Sequence, residues 1–264
     1  MDSREIIRMG IYEDFATFYI SGPWPGYSMR MAEALPELLK KFDIHPQTIL
    51  DLACGEGSFA VAMVRSGYQV TGVDLSPRML GFARKQAEKE GASVAFLNHD
   101  MRSLPFNEEF DIVTCWFDSL NYLLNLDDLR STFEGAARAL KKNGFFIFDM
   151  NTVYGLMAYE GFGVSWKTNH TSIIVDAPGL FVVNRAEYDF EKCISKWNMT
   201  GFMRGEQGWL RMDEIHEERG YHLEEIRSCL GSAGFEQVAC FGNIFEMSEP
   251  AHDAKRLWFV LKKG

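Results

Sequence analysis

An apolar run followed by a glycine-containing turn constrains the fold of this chain more than any other stretch. The run at residues 49–52 predicts a buried strand with Asp51 near its end, and residues 59–64 predict a helix. The turn between them holds Gly55 and Gly57, where the backbone can approach a ligand that a Cβ would block. This order of strand, glycine turn and helix is typical of a nucleotide-binding edge in an α/β fold.

Two classes of ligand use such a turn, and the residues around it help to separate them. Gly55, Gly57 and Ala60 fit a dinucleotide fingerprint, and Asp74 follows at about the spacing of a ribose-binding acid. Asp51, however, sets a carboxylate just before the glycines, where it would repel a pyrophosphate and attract an ammonium group. The pattern therefore favours a cationic ligand without phosphate over a dinucleotide.

Three motifs follow one another along the chain, and they are Asp51-x-x-x-Gly55-x-Gly57, Gly72-Val73-Asp74-Leu75-Ser76 and His99-Asp100-Met101. Together they make the sequence resemble a class I S-adenosylmethionine-dependent methyltransferase over roughly residues 47–150. The resemblance implies an α/β, Rossmann-like fold with a seven-stranded, mostly parallel, doubly wound sheet. It also implies S-adenosyl-L-methionine as the cofactor and methyl transfer as the reaction.

The resemblance further implies which part of the cofactor each acid would hold. Asp51 would bind the amino group, Asp74 would accept from both ribose hydroxyls, and Asp100 would accept from the adenine amino group. The amide of Met101 would meet the adenine ring. The predicted cofactor-binding residues are Tyr12, Tyr19, Trp24, Arg30, Asp51, Ala53, Gly55, Gly57, Asp74, Leu75, Met79, Asp100, Met101 and Trp116.

An aromatic segment precedes this core and has two interpretations. Tyr12, Phe15 and Tyr19 fall at helical spacing, so the segment is either a helix packed on the core or a lid over the cofactor pocket. In related small-molecule methyltransferases a Tyr-x-x-Phe-Ala pattern contributes to such a lid, and residues 12–16 match that pattern. Arg30 would reach the methionine carboxylate of the cofactor, or else remain solvated.

The rest of the chain predicts a sheet interrupted by an insertion. Strands and helices alternate up to residue 149, whereas period-two runs from about 165 to 218 predict an antiparallel β-sheet inserted after strand five. The inserted sheet would either cover the acceptor pocket or pair two protomers into a homodimer. The predicted parts are an N-terminal helical lid at 1–46, the cofactor-binding core at 47–150, the inserted β region at 151–220 and a C-terminal completion of the core at 221–264.

Local signals predict several element ends. Residues 21–26 predict a loop, and residues 28–42 predict a helix that Pro36 would kink or restart. Ser76 is placed to cap the helix that follows the second strand. Asp127 is placed to cap a later helix.

Composition limits the partners and the compartment. The 264 residues, 47% of them hydrophobic, suit one large domain with an insertion. A net charge of −10 argues against a nucleic-acid partner, although a local basic groove would escape this sum. Five cysteines without a C-x-x-C pair, and no metal-ligand spacing, predict no metal. The polar amino terminus and the lack of a long apolar run predict a cytoplasmic protein without a membrane partner.

The predicted reaction asks the protein mainly for positioning. Methyl transfer is an in-line displacement at an activated carbon, so the protein must hold the acceptor and exclude water. The catalytic candidates are Asp118 and His170, which could take a proton, and Tyr19, which belongs to the aromatic lid. His216 is a further candidate on residue type alone, and Tyr122, after the fourth strand, could orient an acceptor.

Three functions stay open from the sequence. Methylation of a nitrogen or oxygen on a small molecule is favoured by the acidic charge and by the absence of an Asn-Pro-Pro-Tyr motif after the fourth strand. The lid resembles that of enzymes that methylate amino groups on sugars and other metabolites, which favours nitrogen. The alternatives are a methyltransferase acting on protein or RNA, and a nicotinamide-dependent oxidoreductase or a non-catalytic nucleotide-binding module.

Overall fold

The structure is a computed structural model that describes residues 12–157 and 169–264, with side chains described from residue 171 in the second range. The helices are α1 (Phe15–Ser21), α2 (Pro25–Lys41), α3 (Ser58–Arg65), α4 (Pro77–Glu90), α5 (Leu126–Ala139), α6 (Val153–Met157) and α7 (Leu223–Ser232). The strands are β1 (Thr48–Leu52), β2 (Gln69–Asp74), β3 (Ala95–Asn98), β4 (Phe110–Cys115), β5 (Leu140–Asn151), β6 (Asn169–Ala177), β7 (Leu180–Asp189), β8 (Ile194–Gly205), β9 (Gly208–Arg219), β10 (Phe235–Phe241) and β11 (Arg256–Lys263).

The larger sheet has the strand order β10-β11-β5-β4-β1-β2-β3, which confirms the predicted seven-stranded, mostly parallel sheet. Strands β1 to β5 pair in parallel, whereas β10 and β11 form an antiparallel hairpin beside β5. Asp51 on β1 stands opposite Gly72 of β2 on one side and Thr114 of β4 on the other. The carboxyl ends of these three strands therefore meet at one edge.

Apolar side chains cover both faces of the larger sheet. One core includes residues of α5 and α7, and the other includes residues of α2, α3 and α4. Leu50 and Leu52 are fully buried in the first core, while Ile49 is fully buried in the second, as alternation along a strand requires. Because both faces of β1 are buried, the run at 49–52 is apolar except for Asp51.

Local signals around α4 fold as the sequence predicts. The Ser76 hydroxyl accepts a hydrogen bond from the Met79 N–H, at 3.2 Å, and Pro77 occupies the first helical position. Gly91 ends the helix in the left-handed conformation that glycine adopts without a steric penalty. These signals fix the turn between β2 and α4.

The smaller sheet is the predicted insertion, an antiparallel meander with the order β6-β7-β8-β9. Phe15 and Phe18 of α1 join Val182 and Met199 of this sheet in a third apolar cluster. A Cβ at Gly201 would lie 2.7 Å from the Phe18 ring, so the first helix approaches the sheet closely. The amino-terminal helix and the inserted sheet thus pack on each other.

Two boundaries near the amino terminus differ from the prediction. Tyr12 lies before α1, which begins at Phe15, because its φ of 62° is left-handed and cannot continue a right-handed helix. The next helix begins at Pro25, so the loop is shorter than residues 21–26. This helix continues through Pro36, which lies on its exposed side.

The cap of α5 also differs from the prediction. Asn125, rather than Asp127, adopts the extended backbone of a cap residue, and its side chain accepts from the N–H of Asp128 at 2.8 Å. Asp127 lies in the first turn, where its charge complements the helix dipole.

Within residues 12–157 and 169–264, no helix is both long enough and apolar enough to cross a lipid bilayer. The four-part division of the chain stays a prediction.

Candidate active site

A cavity of about 310 Å³ opens at the carboxyl edge of β1, β2 and β4 and is called the first cavity below. Its volume falls within the range of about 300–1,000 Å³ that is usual for small-molecule sites. It brings together most of the residues predicted from the motifs. The predicted residues that line it are Tyr12, Tyr19, Asp51, Ala53, Gly55, Asp74, Leu75, Met79, Asp100, Met101 and Trp116.

Asp51 is the most deeply buried acid of the first cavity. Its side chain lies one residue from the end of β1 and is 2% exposed, and the Thr114 hydroxyl donates to its Oδ1 at 2.8 Å. The pKa of Asp51 is raised to about 8, chiefly by burial; the Thr114 bond opposes the rise, and the nearby Asp74 and Glu56 carboxylates contribute to it. A cation bound beside Asp51 would relieve the unfavourable burial of its charge.

Asp74 ends β2 and faces the same cavity from the neighbouring strand. It accepts hydrogen bonds at 2.8 Å from the N–H of Gly55 and from the N–H of Ser76, one on each oxygen. Burial raises the pKa of this carboxyl, against these two bonds. Each carboxylate oxygen can accept more than one hydrogen bond, so Asp74 keeps the capacity that a diol would use.

Asp100 follows β3 and differs from the other two acids because a cation already holds it. Arg102 donates to both of its oxygens and also to Asp128, at 3.1 Å. The Arg102 bond lowers the pKa of Asp100. A ligand amino group at Asp100 would therefore share the carboxylate with Arg102, which the sequence did not indicate.

The charges around the first cavity suit a cationic ligand better than a diphosphate. Four of its lining residues are carboxylates, and the arginine among the described lining, Arg102, is paired with two of them. A diphosphate would face net negative charge without a free cation, whereas a sulfonium with an α-ammonium would be attracted. The carboxylates are Asp51, Asp74, Asp100 and Asp128.

The backbone of the glycine turn is held in unusual conformations. Ala53 and Gly55 have φ values of 52° and 56°, and both line the first cavity. Gly57 has a φ of 83°, and a Cβ there would lie 2.9 Å from Ala83 Cβ and 2.9 Å from the Phe96 ring. Gly57 therefore allows close packing around α3 and is not among the residues that line the cavity.

Residues 12–24, called the lid segment below, are clamped from two sides. Glu214 of the inserted sheet accepts from the N–H of Tyr12 at 2.7 Å and from the N–H of Phe15 at 2.9 Å. On the side of the larger sheet, Ser76 donates to the Tyr12 carbonyl at 3.0 Å, and Arg78 donates to a carbonyl of the same segment at 2.7 Å. The lid segment therefore joins the inserted sheet to the cofactor edge.

A second cavity, of about 60 Å³, lies between the lid segment and the inserted sheet. It shares Tyr12, Phe117 and Tyr122 with the first cavity, so these three residues stand at the junction of the two. The remaining residues that line the second cavity are Phe15, Trp24, Asp118, Ile174, Asn184, Trp197, Met199, His216 and Glu218.

Two strained residues after β4 deliver Asp118 to the second cavity. Phe117 and Asp118 have φ values of 58° and 54°, and the Asp149 carboxylate accepts from their N–H groups at 2.8 and 3.1 Å. Arg256 pairs with Asp149 and, at 2.8 Å, with the Asp118 carboxylate. Asp118 is thereby held as a fixed negative charge beside Asn151, which donates to it at 2.6 Å.

A chain of polar side chains crosses the junction of the cavities. The hydroxyls of Tyr12 and Tyr122 lie 3.2 Å apart, and the Tyr122 hydroxyl lies 3.0 Å from His216 Nδ1. His216 Nε2 is 3.1 Å from Glu214 Oε1 but lacks the alignment of a hydrogen bond. Burial raises the pKa of both tyrosines, so they act here as neutral hydroxyls.

Some predicted residues lie elsewhere. Arg30 is exposed, with its guanidinium 4.8 Å above the Phe245 ring, and it is not among the residues that line either cavity, so a role at the methionine carboxylate finds no support. Trp24 lines the second cavity rather than the first. His170 stands opposite Ala186 in β6, and its side chain lies outside the described residues.

Sequence reasoning missed most of the second cavity. Glu214 and Glu218 flank His216 at a period of two on β9, so all three point to the same face of the inserted sheet. Polar residues at every second position of this strand were the signal that the sequence offered for a polar site on one face of the inserted sheet. Asn184 and Arg256 gave no local signal, because their roles arise only from contacts distant in sequence.

Comparisons with known proteins agree with this geometry. Residues 49–144 match the family model described as a methyltransferase domain. A protein of Geobacillus sp. (strain WCH70) that bears the provisional name of methyltransferase is 30% identical over 258 residues, covering 96% of this chain and 99% of that protein.

Solved structures are similar over nearly the whole chain. An S-adenosylmethionine-dependent methyltransferase from Clostridium acetobutylicum ATCC 824 has a TM-score of 0.83 at 25% identity, with 97% of this chain and 100% of that chain covered. The sugar N-methyltransferase KedS8 from Streptoalloteichus sp ATCC 53650 shares the fold, with a TM-score of 0.74 at 19% identity and coverage of 100% and 98%.

Proposed function

Because the chain belongs to the class I S-adenosylmethionine-dependent methyltransferases, we propose that it transfers the methyl group to a nitrogen or oxygen of a small-molecule acceptor. The second cavity, which joins the first at Tyr12, Phe117 and Tyr122, carries this proposal. An acceptor bound in the second cavity would face a cofactor bound in the first at the junction that these three side chains form.

The first cavity is the site that we assign to S-adenosyl-L-methionine. Asp51 would hold its amino group, Asp74 its ribose, and Asp100 and Met101 its adenine ring. When bound, S-adenosylmethionine supplies a methyl group already activated by a positively charged sulfur. The protein then needs no nucleophile of its own, and its residues serve to position the acceptor and to exclude water.

The walls of the second cavity support a small acceptor over a macromolecule. The lid segment and the inserted sheet close over it with the aromatic side chains of Phe15, Trp24 and Trp197. A protein or RNA substrate needs an open trough, and RNA also needs clustered basic residues, which an overall charge of −10 does not favour. Similarity of fold to a sugar N-methyltransferase is compatible with a small metabolite as the acceptor.

The predicted catalytic residues take different parts in this proposal. Asp118 faces the acceptor as a fixed charge, and Tyr19, 6% exposed, closes the cofactor side against water. His216, with Tyr122 bonded to its ring, is better placed than sequence alone suggested to receive a proton from a hydroxyl acceptor. A role for His170 stays a prediction.

Two measurements test the proposal. Isothermal titration should give binding of S-adenosylmethionine and none of NAD; tight NAD binding would favour an oxidoreductase instead. Transfer of labelled methyl groups should then be measured on an extract separated into small molecules, RNA and protein. Label confined to the small-molecule fraction is expected, whereas label in RNA or protein would contradict the assignment of the acceptor.

The homodimer is a separate proposal that concerns the outer face of the inserted sheet. Ile173 and Ile215 are 60% and 53% exposed on that face. Light scattering on the wild type and on Ile215→Lys tests it, since a dimer through this face would dissociate in the variant. A monomeric wild type would rule the pairing out.

A further inference from the structure

Glu218 is a buried acid for which the family assignment gives no role. It is 2% exposed on β9 and lines the second cavity. Among the described residues, Asn151 donates to it at 3.2 Å, and that donor is shared with Asp118. One shared amide is little compensation for a buried carboxylate, which is costly unless it is paired.

The charges around Glu218 do not balance. Asp118, Asp149 and Glu218 form a group of buried acids, and Arg256 already forms ion pairs with the first two. Arg256 acts on Glu218 through its electrostatic field, which is weaker than the burial that opposes ionisation. His216, the nearest titratable residue on the same face of β9, points to Tyr122 and Glu214. The group therefore has room for one more positive charge.

Asn184 gives a second, independent indication of a ligand. It is 1% exposed on β7, lines the second cavity, and its Oδ1 has no hydrogen-bond partner among residues 12–157 and 169–264. A buried amide oxygen without a donor is rare and points to a group that binds there. Asn184 stands opposite Met199 of β8, which stands opposite Glu214 of β9. Glu218 therefore lies two strands across from Asn184 and four residues further along β9, so the two residues mark opposite ends of the cavity.

The Glu218 end is the one that lies next to the cofactor. The charge of Glu218 raises the pKa of Tyr12 and that of Tyr122, and both tyrosines also line the first cavity. The shared amide of Asn151 sets Glu218 beside Asp118, at the end of the turn that follows β4. A group bound at Glu218 is therefore the group nearest to the methyl donor.

Resting on the proposed function, we propose that the second cavity selects an amine acceptor that enters as an ammonium ion, with Glu218 binding the ammonium and Asn184 accepting from a second donor at the far end. Glu218 then takes the proton that the nitrogen must lose. In that step an N–H bond breaks, an O–H bond forms on the Glu218 carboxylate, and the nitrogen keeps the electron pair that becomes its nucleophilic lone pair.

Burial makes this proton transfer feasible. An ammonium and a carboxylate become a neutral amine and a neutral acid, and a site of low dielectric favours the neutral pair. Burial raises the pKa of Glu218 well above its ordinary range, and Asp118 raises it further. The groups that face Glu218 are Asp118, Asp149, Asn151, Tyr12, Tyr122, His216 and Arg256.

A simple cation tests the site without knowledge of the natural acceptor. The protein is saturated with S-adenosylhomocysteine, and its unfolding midpoint is compared in ethylammonium chloride with that in ethanol plus sodium chloride at equal ionic strength. We expect ethylammonium alone to raise the midpoint, since a ligand that binds only the folded state stabilises it. Glu218→Gln should lose the shift, while Asp213→Asn, on the exposed face of the same sheet, should keep it.

Glu218→Gln should fold normally, because it keeps the acceptor for Asn151 and removes an uncompensated charge. Equal midpoints in the two solutions, or an ethylammonium shift of equal size in Glu218→Gln, would overturn the ammonium site. Either result would leave a small-molecule acceptor methylated on oxygen standing. Label in RNA or protein, in the transfer experiment above, would remove the proposed function itself, so the two failures are distinguishable.

Discussion

The two cavities of this protein are neighbours, yet they are built in different ways. The first gathers acids from the ends of adjacent strands, and most of its lining lies between residues 51 and 128. The second needs the lid segment, the turn after β4 and all four strands of the inserted sheet, so its lining spans residues 12 to 218. The proposed cofactor site is thus formed by local sequence motifs, whereas the proposed acceptor site depends on contacts between residues that are far apart in the sequence.

Replacement of Asp51 should have the largest effect on the first cavity. Asp51→Asn keeps the shape and the Thr114 contact but removes the charge that faces the cofactor's ammonium. We expect the affinity for S-adenosylmethionine to fall by about 100-fold or more, since a hydrogen bond between charged groups is worth about 1.5–3 kcal/mol and a buried charge adds to it. Isothermal titration measures the loss.

Asp43→Asn is the matched control, because Asp43 is exposed beside His45 and away from both cavities. Its affinity should equal that of the wild type. Normal binding by Asp51→Asn would mean that the acid at the end of β1 does not hold the amino group, and the assignment of the first cavity would have to be redrawn.

The pH dependence of binding should be the next largest effect. Asp51 has a pKa of about 8 without ligand, so at lower pH it is mostly protonated and must release its proton to bind an ammonium. Affinity should therefore rise by up to about tenfold per pH unit from about pH 6 towards about pH 7.5. It should then level off or fall as the ligand's own amino group, with a pKa of about 7.7–8.0, loses its charge.

The control ligand for this slope is 5′-methylthioadenosine, which lacks the amino-acid part of the cofactor. Its affinity should change little over the same pH range, apart from the contribution of Asp74. Titrations of both ligands in matched buffers decide the point, and equal slopes would show that the proton comes from somewhere other than Asp51.

The sequence predicted the first cavity well because its chemistry is local. Asp51, Asp74 and Asp100 each follow a strand within a few residues of a recognisable turn, and a parallel sheet brings such ends together. Arg102, which holds Asp100, escaped notice because an arginine's direction depends on neighbours that only the fold supplies. The role predicted for Arg30 stays a prediction; its guanidinium lies over the Phe245 ring.

For the second cavity, the sequence predicted only that the inserted sheet would either cover an acceptor pocket or pair two protomers. Period-two runs revealed the inserted sheet, but not which of its faces would meet the lid segment. Glu214 and Glu218 acquire their roles from Tyr12 and Asn151, which lie far away in sequence. Asp118, which the sequence predicted on the acceptor side, lines the second cavity, and its anchoring by Arg256 depends on the pairing of β5 with β11.

Weakening the attachment of the lid segment to the inserted sheet should also weaken cofactor binding in the first cavity. Glu214→Gln keeps the size of the side chain but replaces a charged acceptor for the N–H groups of Tyr12 and Phe15 with a neutral one. We expect the affinity for S-adenosylmethionine to fall by about tenfold, equivalent to one charge-assisted hydrogen bond. Amide exchange at Tyr12 and Phe15 should accelerate in the same variant.

Glu217→Gln is the control for the loss of a charge on β9, because Glu217 lies between the inward-facing residues His216 and Glu218. It should bind the cofactor as the wild type does, because Glu217 points to the other face of the sheet. If Glu214→Gln binds the cofactor normally while its amide exchange is faster, the lid segment does not contribute to the first cavity.

A further expected effect concerns stability without ligand, and it should appear in both cavities alike. Asp51 and Glu218 both have pKa values raised above their unfolded ones, so the folded protein binds more protons than the unfolded chain. Stability is therefore lost as pH rises through the window between the unfolded and folded values, from about 4 to about 8 for Asp51.

Asp51→Asn and Glu218→Gln should each remove part of that loss. We expect each variant to have a higher Tm than the wild type near pH 8, and the advantage to disappear near pH 4. Asp213→Asn, an exposed acid paired with Arg211, should show no such gain. Scanning calorimetry at the two pH values measures the difference. Variants less stable than the wild type at about pH 8 would mean that the ionised carboxylates stabilise the fold in the absence of a cationic ligand. The proposed similarity between the two cavities would then be wrong.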